Sequence, residues 1–199
     1  IAVSAANIQA AVVLQYHHVS TSTPASTSIS PNLFEQHLSY LQEQEYKVWR
    51  LSRIVEQIKR GTPLPDKVVA ITFDDAYSSI FSEALPLLES RGWPFTVFVS
   101  TDQIQETSGS LMSWTQLKQL QQRGAEMANH THTHTHLVRR LLGESSKHWR
   151  ARVSGELLKA ARILKARLGT DLGLFAYPYG EYTEELQALV RDLDYTGFG

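Results

Sequence analysis

Short apolar runs alternate along the chain with stretches whose apolar residues recur every three or four positions. "AVVLQY" (residues 11–16) reads as a buried strand. The polar, Ser/Thr-rich "HHVSTSTPASTSIS" after it reads as a loop. Ser30 and Pro31 open a helix as N-cap and first residue, with Leu33, Phe34, His37, Leu38 and Leu41 on one face. "KVWRL" predicts a short strand. Ser52 then caps a helix with Ile54, Val55 and Ile58 inward, ended by Gly61. "VVAITF" (residues 68–73) is the strongest strand signal, β-branched and bounded by turn residues. A helix over residues 77–91 and a strand over 95–100 follow. Ser113 and Gln116 form a capping-box pattern for a helix closing at Gly124. "AEMAN" predicts a short strand, and residues 146–168 a long helix stopped by Gly169. "LFAYPYG" is a strand entering a turn, "TEELQALVRDL" a helix and "YTGFG" a final strand.

This alternation places the chain in the α/β class, with a mainly parallel sheet that is open or closed into a barrel. Such sheets carry their chemistry in the loops beyond the C-terminal strand ends. No internal repeat or linker divides residues 1–199, which read as one domain.

Composition narrows the classes. With 20% charged residues and a net charge of −1, the chain has no electrostatic footprint for nucleic acid or anionic membrane. It holds no run of eighteen apolar residues, so no membrane-spanning helix is expected. The absence of cysteine excludes disulfides, thiolate metal ligands and a cysteine nucleophile. The opening "IAVSAANIQAAVV" reads as the tail of a signal peptide, cleaved near Ala10, or as a ragged start to the first strand.

Three stretches carry chemistry. "TFDDAY" sets Asp74 and Asp75 just past the best strand, where two adjacent carboxylates repel unless a cation or hydrogen bonds compensate. The plain alternative is that one caps the next helix and the other is solvated. "MANHTHTHTHL" places four of the eight histidines at every second residue from His130 to His136. On a helical turn, residues four apart share a face; on a strand, all four do. Spacing alone admits His130 with His134, His132 with His136, or a shared set. A Thr-rich edge strand with solvated imidazoles is the non-functional alternative. "FAYPYG" makes a tight bend able to aim a backbone N–H at a ligand. At successive strand ends, these stretches supply two His and one Asp for a metal, a second carboxylate to take a proton from water, and an oxyanion donor. That is the equipment for hydrolysing an amide or ester.

The order Thr72-Phe73-Asp74-Asp75, His130-Thr131-x-x-His134 and Pro178-Tyr179-Gly180 resembles the polysaccharide deacetylases of carbohydrate esterase family 4. "VVLQYHHV", "PLPDKVVAITFDDAY" and "LPLLESRGWPFTVFV" extend the resemblance, which covers residues 12–199. It implies Asp74 as catalytic base, Asp75, His130 and His134 as metal ligands, and the Tyr179 N–H in the oxyanion hole. "EMAN" before His130 and Leu137 after His134 match the family's anchors, leaving His132 and His136 as non-ligands. The implied fold is a distorted (β/α) barrel with fewer than eight strands, here without its C-terminal closing elements. The implied reaction is N-deacetylation of N-acetylglucosamine units in an extracellular polysaccharide by an exported enzyme, periplasmic or at the cell surface. Zinc is the expected ion, with cobalt, nickel or iron as substitutes.

The sequence departs from the family in three places. Ala76 replaces the Gly after Asp-Asp, a small residue expected to be tolerated. Ala176 stands where many members have an Arg that orients the base. The variant "FAYPYG" is closer to the branch acting on poly-β-1,6-N-acetylglucosamine, the biofilm exopolysaccharide. No Leu-x-His, the motif that carries the family's usual general acid, occurs between Gly180 and Gly199: either it lies outside residues 1–199 or another residue donates the proton. His17 and His18, at the end of the first strand, are candidates to line the substrate groove. Trp114, Tyr177 and Tyr182 are candidates to stack on sugar rings. Chitin oligomers, peptidoglycan and O-acetylated glycans are competing substrates, and a non-catalytic, metal-holding carbohydrate-binding domain is the competing class.

Overall fold

The computed structural model describes residues 11–199; the signal-peptide reading falls on residues 1–10, outside the described residues. Its strands are β1 (Val12–Tyr16), β2 (His18–Val19), β3 (Ser28–Ile29), β4 (Lys47–Val48), β5 (Val68–Phe73), β6 (Thr96–Val99), β7 (Glu126–Asn129), β8 (Leu174–Ala176) and β9 (Thr196–Phe198). Seven form one sheet in the order β1-β5-β6-β7-β8-β9, with β4 joined to the start of β5. Every recorded strand pairing is parallel, as expected where helices make the crossovers. β2 and β3 pair separately inside the Ser/Thr-rich segment, which sequence alone reads as a loop.

The helices are α1 (Pro31–Glu43), α2 (Leu51–Lys59), α3 (Leu85–Glu89), α4 (Trp114–Gln122), α5 (Ser146–Leu168) and α6 (Glu184–Asp192). Among the described residues, no helix is long and apolar enough to cross a membrane. Several ends are chemically specified. Ser30 accepts the Leu33 N–H with Pro31 in the first turn of α1. Ser113 and Gln116 complete the capping box of α4, and Gly169 ends α5 in the left-handed region at φ 71°.

The sheet curls into a half-barrel. Val13 and Gln15 of β1 line one cavity together with Phe98, Ala176, Gly197 and Phe198, so the two outer strands face a shared interior. The floor of that interior is apolar: Val68, Ala70, Phe98, Ala128, Leu174 and Ala176 pack over Leu51, Ile54 and Leu64. Outside the sheet, Phe34, Leu38, Ile80, Leu85, Leu88, Leu117 and Leu120 fill the layer between strands and helices. Strands β5 to β8 are buried throughout, which is why they read as continuous apolar runs. Fully burying one such Leu or Phe stabilises the fold by about 1.5–3 kcal/mol.

Several expectations are corrected by packing. β1 is an outer strand: Val12, Val13 and Gln15 are exposed although the run is apolar. On α1 only Phe34, Leu38 and Leu41 of the expected face are buried, and His37 instead meets the Tyr16 hydroxyl at 3.0 Å. Ser52 does not cap α2. The N-cap is Arg50, and the Ser52 hydroxyl donates to Glu126 at the start of β7. Ile58 is exposed, because α2 buries Leu51 and Ile54. The expected helix over 77–91 begins as a π-helical turn, Ile80–Ala84, and is regular only in α3.

Candidate active site

Three strand ends, those of β5, β7 and β8, deliver the chemistry. After β5 the chain turns through the left-handed region at Asp75 (φ 66°) and Ala76 (φ 58°). The turn separates two carboxylates that adjacent positions on an extended strand would direct to opposite faces. Ala76 is fully buried at a conformation that favours glycine, so the expected cost of the Gly-to-Ala departure is located in this turn.

The histidine run is neither helix nor strand. It is an irregular loop bent through left-handed conformations at Thr131 (φ 72°) and His134 (φ 54°). A chain of hydrogen bonds holds it. Buried Asn129 donates to Leu157 O of α5 at 2.9 Å and accepts the Thr131 N–H at 2.9 Å; the Thr131 hydroxyl then accepts the His134 N–H at 2.9 Å. Ser100, after β6, donates to His130 O at 2.8 Å. Buried Leu137 closes the loop, its carbonyl accepting the Trp149 indole N–H at 2.8 Å.

This scaffold selects among the histidine pairings. His130 Nε2 lies 3.5 Å and His134 Nε2 3.2 Å from the same oxygen, Asp75 Oδ1. Donor atoms of the three residues lie within 4.8 Å of one another, and this is the one such group found among the described residues. Asp75 Oδ1 is buried and has no hydrogen-bond partner among the described residues. Buried polar atoms are normally satisfied, so an unpaired oxygen between two imidazoles fits a divalent ion. The His130 Nδ1–H donates to Ala176 O at 2.9 Å, leaving Nε2 as the lone-pair nitrogen. His132 faces elsewhere, with Nδ1 2.9 Å from Thr101 Oγ1 and Nε2 3.3 Å from Asp102 Oδ1. His136 Nδ1 meets Glu181 Oε2 at 2.8 Å, and its ring stacks on Tyr179 at 4.0 Å.

The electrostatics follow from this geometry. Burial opposes charge on His130, but Asp75, Asp74 and the Ala176 carbonyl outweigh it and raise its pKa. Burial, reinforced by His130, lowers that of His134, which favours the neutral form a metal ligand needs. Burial also opposes ionisation of Asp75, yet His130, His134 and His17 together hold its carboxyl below the usual range.

Asp74 is 2% exposed. Its N–H donates to Tyr16 O at 2.9 Å, extending the β1–β5 pairing by one step. Its Oδ1 has no partner among the described residues, its Oδ2 accepts from Gln15 Nε2 at 2.5 Å, and His17 Nε2 stands 3.9 Å from Oδ2. Gln15 carried no sequence signal. The available clue was register, since period-two alternation puts residues 13 and 15 on one face of β1.

A model of the polysaccharide deacetylase family matches residues 61–198. The chain belongs to the polysaccharide deacetylase family. It is similar, at 24% identity over 93% of its length, to the poly-beta-1,6-N-acetyl-D-glucosamine N-deacetylase of Escherichia coli K12. It is 26% identical over 82% of its length to the Staphylococcus aureus MRSA252 protein of that name. The matches cover 33% and 58% of those proteins, so this deacetylase-family chain spans only part of their length. The solved structure of IcaB from Ammonifex degensii superposes with a TM-score of 0.81 at 27% identity, covering 94% of this chain and 82% of that one. The barrel-type fold expected from sequence is the fold observed.

In this deacetylase-family fold the outer candidates separate. His17 reaches the site. His18 stacks on Tyr77 at 3.5 Å, and burial, with help from His17, lowers its pKa. The Tyr77 hydroxyl is pushed up to about 12 by burial and the nearby Asp75 charge. Trp114 is corrected: it is buried in the core, with Arg167 over its ring. Tyr177 is corrected too, being 5% exposed between Phe175, Tyr182 and β9. A Cβ at Gly197 would come within 2.5 Å of the Tyr177 hydroxyl, so the ring occupies the space glycine leaves. Exposed aromatic surface beside the histidines comes instead from Tyr179. It adopts φ 60°, sets its ring against His134, and donates its hydroxyl hydrogen to His134 O at 3.2 Å.

Proposed function

We propose that the chain is the catalytic region of a metal-dependent N-deacetylase of N-acetylglucosamine polymers. The observation that carries this reading is the convergence of Asp75, His130 and His134 on one point, with buried Asp74 beside them. Those three residues hold the ion. Zinc suits a set of two imidazoles and one carboxylate with open positions, and cobalt, nickel and iron take the same donors. When bound, the ion brings the pKa of a water toward about 7 and polarises the acetyl carbonyl.

The protein's own groups do the rest. Asp74 accepts the proton of the attacking water through its free oxygen. The Tyr179 backbone N–H donates to the carbonyl oxygen as negative charge develops there. His17 faces Asp74 from the end of β1 and gives a proton to the amine nitrogen as the C–N bond breaks. That proton lets the nitrogen leave as a neutral amine. The products are acetate and a glucosamine unit.

Poly-β-1,6-N-acetylglucosamine is the substrate in this reading, supported by the relatives' names and the "FAYPYG" variant. An exported enzyme acting outside the cytoplasm follows from such a substrate. The test is Asp74→Asn with a chelator-competition zinc titration and acetate release measured on β-1,6 oligomers. Acetate release is expected to fall by about 10²–10⁴-fold, with zinc affinity retained. Loss of zinc in Asp74→Asn would overturn the division of roles between the aspartates. Chitin oligomers turned over as fast as β-1,6 oligomers would overturn the substrate.

A further inference from the structure

We propose that Gln15 is the positioning residue for Asp74, taking the place of an arginine in a site where position 176 is alanine. The proposal rests on the reading of Asp74 as the catalytic base. Gln15 sits on β1 opposite Thr72 of β5, and Asp74 follows two residues later. Strand alternation therefore puts Gln15, Thr72 and Asp74 on one interior face, where they line a cavity of about 240 Å³ with Val13, Phe98, Ala176 and Phe198. Ala176 borders that cavity with a methyl group and has no donor to offer the carboxylate.

The remaining neighbours leave the task to Gln15. The Thr72 hydroxyl is spent on Leu14 O at 3.1 Å. His17 stands at 3.9 Å from Asp74 Oδ2, beyond hydrogen-bond reach. Among the described residues, no lysine or arginine ion pair with Asp74 is recorded. Among the described residues, the single side-chain hydrogen bond on the carboxylate is Gln15 Nε2 to Oδ2. The amide nitrogen must be the atom facing Asp74, because the amide oxygen would set acceptor against acceptor. With Oδ2 tied to β1, rotation of the carboxylate is fixed and Oδ1 remains free to take a proton. An unanchored carboxylate would lose this aim, and misplacement of a catalytic group by about 1 Å can cost about 10²-fold in rate.

Three substitutions separate hydrogen bonding from shape. Gln15→Met keeps the length without a donor, Gln15→Glu sets a second carboxylate against Asp74, and Gln15→Lys restores a donor. The expected order of kcat is parent and Gln15→Lys, then Gln15→Met lower by about 10–100-fold, then Gln15→Glu lowest. KM and zinc affinity stay within about twofold of parent, because neither ground-state binding nor the three ligands change. Equal kcat in Gln15→Met and parent, or equal losses in all three variants, would overturn the proposal. Zinc-soaked crystals of parent and Gln15→Met provide a readout independent of turnover. The Asp74 carboxylate should rotate in Gln15→Met while Asp75, His130 and His134 stay in place; an unmoved Asp74 overturns the role. A parent protein that releases no acetate from any glycan would instead refute the deacetylase reading, and the crystallographic arm would still decide the Gln15 contact.

Discussion

One buried carboxylate and a pair of them lie at opposite ends of the same parallel sheet, and they are treated differently. At the N-terminal end of β7, Glu126 accepts the Ser52 N–H at 3.2 Å, the Ser52 hydroxyl and the Thr96 hydroxyl at 3.1 Å, with Arg50 at 3.9 Å. At the C-terminal ends, Asp74 and Asp75 each keep a buried oxygen without a hydrogen bond from any described residue. Backbone strain gathers at that same end: Asp75, Ala76, Thr131, His134 and Tyr179 are five of the eight non-glycine residues with positive φ among the described residues. A satisfied buried carboxylate ties elements together; an unsatisfied one, held by a strained backbone, is kept for an external partner.

The largest effect expected from breaking this contrast is at the unsatisfied end. His130→Ala removes a nitrogen facing Asp75, and zinc affinity should fall by more than the ~10–100-fold typical of losing an outer-shell partner. His132→Ala, whose ring bonds to Thr101 and Asp102, should retain most of the affinity. Isothermal titration of both variants decides it, and the opposite ranking would mean that the ligand pair is wrong.

A smaller effect, of a different kind, is expected at the satisfied end. Glu126→Ala strands the Ser52 and Thr96 donors and should cost about 1–3 kcal/mol. For a domain of this size each kcal/mol lowers Tm by about 2–4 °C. Calorimetry should show that loss with zinc affinity unchanged. A Glu126→Ala protein with normal Tm but weakened zinc binding would erase the distinction between the two ends.

The smallest effect sharpens the rule on a fourth carboxylate. Glu144 accepts from Arg152 at 2.7 and 2.8 Å and from the Leu141 N–H at 3.1 Å. The Arg152 hydrogen bond, above all, holds its pKa near 2 instead of 4.5. Because the folded-state pKa is the lower one, its contribution to stability is complete above about pH 4.5 and disappears as pH falls toward 2. Melting curves of parent and Glu144→Gln should differ at pH 6 and converge near pH 2. A gap that persists at pH 2 would assign the effect to packing.

Much of this organisation is legible in the chain. Val68–Phe73 reads as a buried strand because both its faces are covered, and Ser30, Ser113 and Gly169 mark helix ends because their chemistry is local. Outer strands and amphipathic faces were less legible. Val12 and Val13 have the side chains of a core strand but lack a second neighbour, and Ser52 resembles a cap yet bonds to a strand 74 residues away. Trp114 and Tyr177 show the same limit, since an aromatic that suits a sugar also suits a core.

The sequence by itself determined the alternation of strands and helices, the placement of Asp74, Asp75 and the histidines just beyond strand ends, and the family resemblance that ranks His130 and His134 first. These follow from periodicity, end chemistry and motif order, which are properties of neighbouring residues. Only the tertiary structure decided that the histidine loop bends at Thr131 and His134, so that two rings of a uniform run face Asp75 and two turn away. Only it brought Gln15 of an outer strand, and His17 just past that strand's end, against Asp74. Those contacts depend on strand register and on which side chains share the barrel interior, and a one-residue slip would send every one of them to the opposite face.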